Sequence, residues 1–92
     1  MINQKKPKKG ILVDTILKAS KTEKDLNKFL EGILSPVEYD TLSTRIEICE
    51  QLLSGQWQKD IAKKFGTGVA TVNRVAKAIK EHPIISQIIK KT

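Results

Sequence analysis

The 92-residue sequence contains one cysteine and one histidine, and its acidic residues do not cluster. The single cysteine, Cys49, excludes an intrachain disulfide and provides no thiol framework for a structural metal. Because His82 is the sole histidine and no nucleophile–base pair is present, the pattern lacks the usual groups of an active site. We therefore predict that the protein is not an enzyme and holds no metal, and that Cys49 is a buried core residue.

The chain also lacks a long uninterrupted apolar run, and none follows its basic N-terminus. We therefore expect no signal peptide, no transmembrane helix and a cytoplasmic location. Acidic residues are outnumbered by basic ones, with 10 Asp and Glu against 17 Lys and Arg, which gives a formal net charge of +7. This excess of positive charge favours a polyanionic partner, either nucleic acid or an anionic membrane surface.

No segment alternates apolar and polar residues with the period of two that a half-buried strand requires. Apolar residues recur instead at helical spacing, first over residues 11–17 and then over residues 26–34. The same spacing continues through the rest of the chain. We thus predict an all-α fold of five to six short helices.

Residues that commonly start or end helices separate these segments. A hydroxyl followed three residues later by a carboxylate is typical of a helix start, whereas glycine or a proline is typical of a helix end. The predicted starts are Thr22 with Asp25 and Ser35-Pro36 with Glu38, and the predicted ends are Gly55 and His82-Pro83.

The domain organisation follows from charge and apolar content. Residues 1–10 carry four lysines and are expected to be a basic flexible arm, either a solvated tail or a segment that touches phosphates. Residues 11–92 are predicted to be a single helical domain. The apolar faces over 11–34 and 84–89 are wide for a chain that buries little of its surface alone. A homodimer would cover them, and a compact monomer is the alternative.

Residues 58–77 have the pattern of a helix-turn-helix. Ala62 provides the small residue needed where two helices cross closely, and Gly66 can adopt the positive φ that ends the first helix. The apolar positions predicted to pack between the helices and the core are Ile61, Phe65, Val72 and Val75. A structural helical hairpin without a DNA role is the alternative.

The outward positions of this motif suit the major groove of duplex DNA. Small residues at the start of the second helix allow close approach, while Asn and Arg can make bidentate contacts to adenine and guanine. Polar residues of the first helix can hold phosphates. The predicted DNA-binding residues are Gln58, Lys59, Lys63, Gly68, Val69, Ala70, Thr71, Asn73, Arg74 and Lys77. We expect double-stranded DNA as the partner and no membrane, with sequence-blind coating of DNA as an alternative to specific regulation.

Several strings resemble the Trp repressor family of bacteria, over roughly residues 11–90. They are 34–38 (LSPVE), 42–46 (LSTRI), 52–55 (LLSG) and, most specifically, 66–74 (GTGVATVNR). The resemblance implies an intertwined all-helical homodimer that represses transcription through one helix-turn-helix per subunit on a palindromic operator. The two helix-turn-helix motifs of such a dimer should lie about one helical turn of DNA apart, roughly 34 Å.

The resemblance also implies a pocket for L-tryptophan as corepressor. The matching positions are Leu34, Ser35, Arg45, Arg74 and Val75. At the last of these positions the classical repressor has glycine, against which the ligand's ring lies. The valine here is more similar to the YerC-type group, for which tryptophan binding is not expected, so a tryptophan-gated repressor is the alternative. The alternatives are that Arg45 pairs with a carboxylate or a helix end and that Arg74 contacts DNA directly. We expect Trp57 to be a packing residue.

Overall fold

The computed structural model describes residues 9–89, and within this range the chain forms six helices and no strand. The helices are α1 (Lys9–Ala19), α2 (Glu23–Ile33), α3 (Pro36–Leu53), α4 (Gln58–Phe65), α5 (Val69–Glu81) and α6 (Pro83–Ile89). The all-α prediction is confirmed. The last two residues of the predicted basic arm, Lys9 and Gly10, belong to helix α1, and the rest of that arm lies outside the described residues.

The chain divides into two compact units, one up to Tyr39 and one from Asp40 onward, where a single helical domain was predicted. In the first unit α1 packs on α2. The backbone N–H of Asp25 donates to Oγ1 of Thr22 at 3.0 Å, which confirms the predicted start of α2. Ser35 and Glu38 likewise hydrogen-bond each other around the start of α3.

The described part of the first unit leaves much apolar surface uncovered. No residue of α2 is buried, and on α1 the side chain of Leu17 is 66% exposed. The exposed apolar residues of this unit are Ile11, Leu12, Val13, Ile16, Leu17, Ile33 and Val37. The surplus of apolar surface predicted for this segment is therefore present in the single chain.

The second unit contains the core. Its buried residues are Ile48, Cys49, Ile61, Ala62, Val72 and Val75, and Leu52, Phe65, Ile79, Ile85 and Ile89 pack against them. Helix α5 contacts both α4 and α6. The predicted packing positions of the helix-turn-helix are confirmed, as is the burial of Cys49. Ile84 and Ile88 of α6 point away from this core and remain exposed.

The connection between α4 and α5 is set by Gly66. This residue caps α4 with φ 63° and ψ 37°, the left-handed conformation that glycine adopts without steric cost. The backbone N–H of the next residue, Thr67, donates to the carbonyl of Ala62 at 2.9 Å. The turn predicted from the sequence is thereby confirmed.

The predicted end of α5 is confirmed as well. His82 caps this helix and donates its N–H to the carbonyl of Ala78 at 2.9 Å, and Pro83 begins α6. Between residues 9 and 89, no helix is both long enough and apolar enough to cross a bilayer.

Candidate nucleic-acid interface

All ten residues predicted to contact DNA are exposed. On α5 the exposed positions alternate with a buried stripe, because Val72 is fully buried and Val75 is 7% exposed. Asn73, Arg74 and Lys77 therefore lie on the solvent side of a helix whose opposite side is fixed to the core. A polar helix face supported in this way can enter the major groove without rearranging the core.

The start of α5 is lined by small residues. Gly68 is the N-cap in an extended conformation, and a side chain added there would meet nothing within 4 Å. Val69, Ala70 and Thr71 follow and are exposed. Because none of these side chains is long, the backbone of the first turn can approach base edges closely, and their methyl groups can contact thymine.

Two of the basic side chains have neighbours within the chain. Nζ of Lys77 lies 4.0 Å from Oε2 of Glu81, one turn further along α5, and both side chains are more than half exposed. Nζ of Lys64 lies 5.6 Å from the ring centroid of Phe65. An exposed i,i+4 ion pair contributes little to stability, so Lys77 can exchange it for a phosphate at small cost.

Trp57 does not pack in the core, and the expectation that it would is wrong for the single chain. It is the N-cap of α4, and its side chain is 71% exposed. Its backbone is extended, with φ −69° and ψ 139°. Because Trp57 is not helical, its side chain does not share a helix face with buried Ile61, four residues later, and it does not join the buried residues of α4.

A cavity of about 260 Å³ lies in the second unit, lined by α3, the end of α4, the turn after it and α5. Its lining residues are Asp40, Thr41, Thr44, Arg45, Ile48, Phe65, Thr67, Thr71 and Val75. One acid, one guanidinium and four hydroxyls thus share a cavity with three apolar side chains. This composition can bind a small molecule that has both charged and apolar parts.

Two residues of the predicted corepressor pocket line this cavity. Arg45 and Val75 line the cavity, whereas Arg74 is not among its lining residues, and Leu34 and Ser35 belong to the first unit. Sequence reasoning missed Thr41 and Thr44. A signal for them exists, since Thr41, Thr44 and Ile48 follow the i, i+3, i+7 spacing of one helix face.

Arg45 is exposed and forms no ion pair within the described residues, so the expected pairing with a core carboxylate is not found there. Its charge nevertheless acts on Cys49. Burial raises the pKa of the Cys49 thiol above its ordinary value, and nearby Arg45 offsets part of that rise. The thiol is therefore a neutral core group at physiological pH. In the same described range, no group of His, Cys, Asp and Glu side chains could hold a metal ion.

The chain is similar to known repressors. Residues 9–91 match the family model described as Trp repressor protein. A Trp operon repressor homolog of Aliivibrio salmonicida is 37% identical over 54 residues, which cover 58% of this chain and 50% of that protein. Homologs with the same description from Photobacterium profundum and Vibrio vulnificus are 34% identical over 70 residues and 30% identical over 66. The chain spans about half the length of the first relative and about two thirds of the other two, 67% and 65%.

Proposed function

Since the chain belongs to the Trp repressor family, we propose that it is a sequence-specific DNA-binding transcriptional repressor that acts as a homodimer in the cytoplasm. The observation that carries this proposal is the exposed face of α5. There, small residues at the helix start are followed by Asn73, Arg74 and Lys77, above a stripe that is buried in the core.

Each part of this face has a distinct role in binding. Asn73 and Arg74 offer the donors and acceptors that read adenine and guanine edges in the major groove. Lys59 and Lys63 of α4, together with Lys77, supply positive charge for phosphates, which fixes the position of the helix without reading sequence. Specificity thus depends on two residues of α5, and affinity depends on a wider set.

The apolar surface supports the dimer. Exposed apolar side chains occur on α1 in the first unit and at Ile84 and Ile88 of α6 in the second. Burial of such surface is favourable by about 25 cal/mol per Å², so pairing with a second copy would stabilise both units. Two copies related by a two-fold axis would present two helices to a palindromic operator.

The decisive experiment is selection of bound sites from a random DNA pool, followed by titration of the selected duplex at several salt concentrations. Recovery of a palindromic site is expected. Asn73→Ala should weaken binding by about 1–3 kcal/mol and relax preference at one or two base pairs. Ser54→Ala, an exposed polar change just after α3 and away from the apolar surface proposed for the dimer, is the matched control and should bind as the wild type does. Binding without any preferred site would show a sequence-blind coating protein instead.

The cavity in the second unit favours a second candidate function, a repressor gated by a small effector. L-tryptophan is the ligand that the family implies. Arg45 suits its carboxylate, whereas the branched side chain of Val75 takes up space in the same cavity and counts against its ring. Calorimetry with tryptophan on the wild type and on Val75→Gly separates these effects. Heat of binding from the variant alone would show that Val75 prevents tryptophan from binding. No heat of binding from either protein would exclude tryptophan as the effector.

A further inference from the structure

Trp57 is the sole tryptophan of the chain, and this residue is 71% exposed at the N-terminal end of α4. It occupies the N-cap position, yet its side chain makes no capping hydrogen bond. Ser, Thr, Asp and Asn are the usual residues there because they cap the helix. A large aromatic ring that neither caps the helix nor packs in the core of its own chain is typical of a contact with another molecule.

The surroundings of this ring favour a polyanion. The exposed charged residues that follow it on α4 are three lysines, Lys59, Lys63 and Lys64, and one acid, Asp60, so positive charge is in excess. In a helix-turn-helix the second helix lies in the major groove while the first helix crosses the sugar–phosphate backbone. With α5 in the groove, α4 and the residue that begins it would therefore lie against that backbone.

We propose that Trp57 is a DNA-contact residue that packs its ring on a deoxyribose and donates its indole Nε1–H to a phosphate oxygen. This inference rests on the proposed DNA-binding function. Contacts to sugar and phosphate carry no sequence information. Trp57 consequently increases affinity for any duplex by the same factor, in contrast to Asn73, which selects among sequences.

Fluorescence of the full chain tests the contact directly, since one tryptophan gives one signal. Acrylamide quenching is measured without DNA and after addition of a fluorescein-labelled random-sequence duplex, whose anisotropy reports binding independently. The ring should be accessible in the DNA-free protein and become protected when DNA binds. Protection already present without DNA would assign Trp57 to a contact between copies of the chain and overturn the proposal. Unchanged quenching with DNA bound would also overturn it, whereas a duplex that never binds would overturn the DNA-binding function itself.

Variants provide a second readout. Trp57→Ala should weaken binding to selected and random duplexes alike, by about tenfold. The dependence of affinity on salt should not change, because no charge is lost. The control, Lys59→Ala, should reduce that dependence by about 0.9 in the log–log slope. Trp57→Phe, which keeps a ring and loses the donor, should fall between the wild type and Trp57→Ala. Wild-type affinity of Trp57→Ala, with its helical circular dichroism intact, would contradict the proposal.

Discussion

Ser35 and Glu38 form two reciprocal hydrogen bonds at the start of α3. The backbone N–H of Ser35 donates to Oε1 of Glu38 at 2.8 Å, and the backbone N–H of Glu38 donates to Oγ of Ser35 at 3.1 Å. Pro36, between them, is the first residue of the helix and has no N–H to satisfy. The reciprocal pair therefore fixes the residue at which the longest helix of the described chain begins.

Ser35→Ala removes one half of this pair and should lower the free energy of unfolding by about 1 kcal/mol. Urea denaturation followed by circular dichroism measures the change. Ser35→Asp is the matched control, because aspartate caps helices as well as serine does, and it should restore most of the loss. Equal stability of Ser35→Ala and the wild type would show that the pair contributes nothing to folding.

Gly66→Ala should destabilise the second unit through the backbone alone. A Cβ at this position would meet nothing within 4 Å, but φ is +63°, which costs an L-residue about 1–2 kcal/mol. Gly32→Ala is the control, since its surroundings are equally open and it lies within α2 without a positive φ. Thermal unfolding should show a lower Tm for Gly66→Ala and little change or a slight rise for Gly32→Ala. A similar loss in both variants would contradict the role of the left-handed conformation.

Oε2 of Glu81 lies 4.0 Å from Nζ of Lys77, so under the proposed function Glu81 would compete with DNA for this lysine. Glu81→Gln should therefore strengthen DNA binding a few-fold at low salt, with the gain fading as salt screens the charges. Lys77→Ala should weaken binding and reduce the salt slope by about 0.9. In the double variant the benefit of Glu81→Gln should shrink, because the freed lysine is gone. Fluorescence anisotropy at three salt concentrations tests all three proteins, and an undiminished benefit would show that Glu81 acts elsewhere.

The raised pKa of the Cys49 thiol predicts a loss of folding stability at alkaline pH. Burial raises the pKa of this thiol in the folded chain, so the folded state holds its proton more tightly than the unfolded state does. The resulting stabilisation is complete at pH values below the pKa of the unfolded thiol and is lost as pH rises through the higher pKa of the folded chain. Cys49→Ala should show a smaller decline of unfolding free energy over this range. Parallel curves for the two proteins would contradict a raised pKa.

The features that the sequence predicts well are those decided by neighbouring residues. Thr22 caps α2 through a group three positions away, and Gly66 ends α4 through its own backbone preference. Likewise, the alternation of buried Val72 and Val75 with exposed Asn73 follows directly from helical periodicity.

The features that the sequence does not reveal depend on distant packing. The cavity joins Thr41 and Thr44 of α3 to Thr71 of α5, and threonines on separate helices give no joint signal in a single sequence. Trp57 was expected to pack because an isolated Trp usually does. Its exposure results from its own extended backbone conformation at the start of α4, which the spacing of apolar residues does not predict.

The uncovered isoleucines of α6, with Ile88 75% exposed, have a consequence for gene dosage under the proposed dimer. If the homodimer is the form that binds the operator, the concentration of homodimer at low expression rises with the square of the number of chains made, by mass action. A small increase in synthesis would then switch its target genes off abruptly. The apolar residues that a single chain leaves exposed would in this way set a threshold of expression for repression.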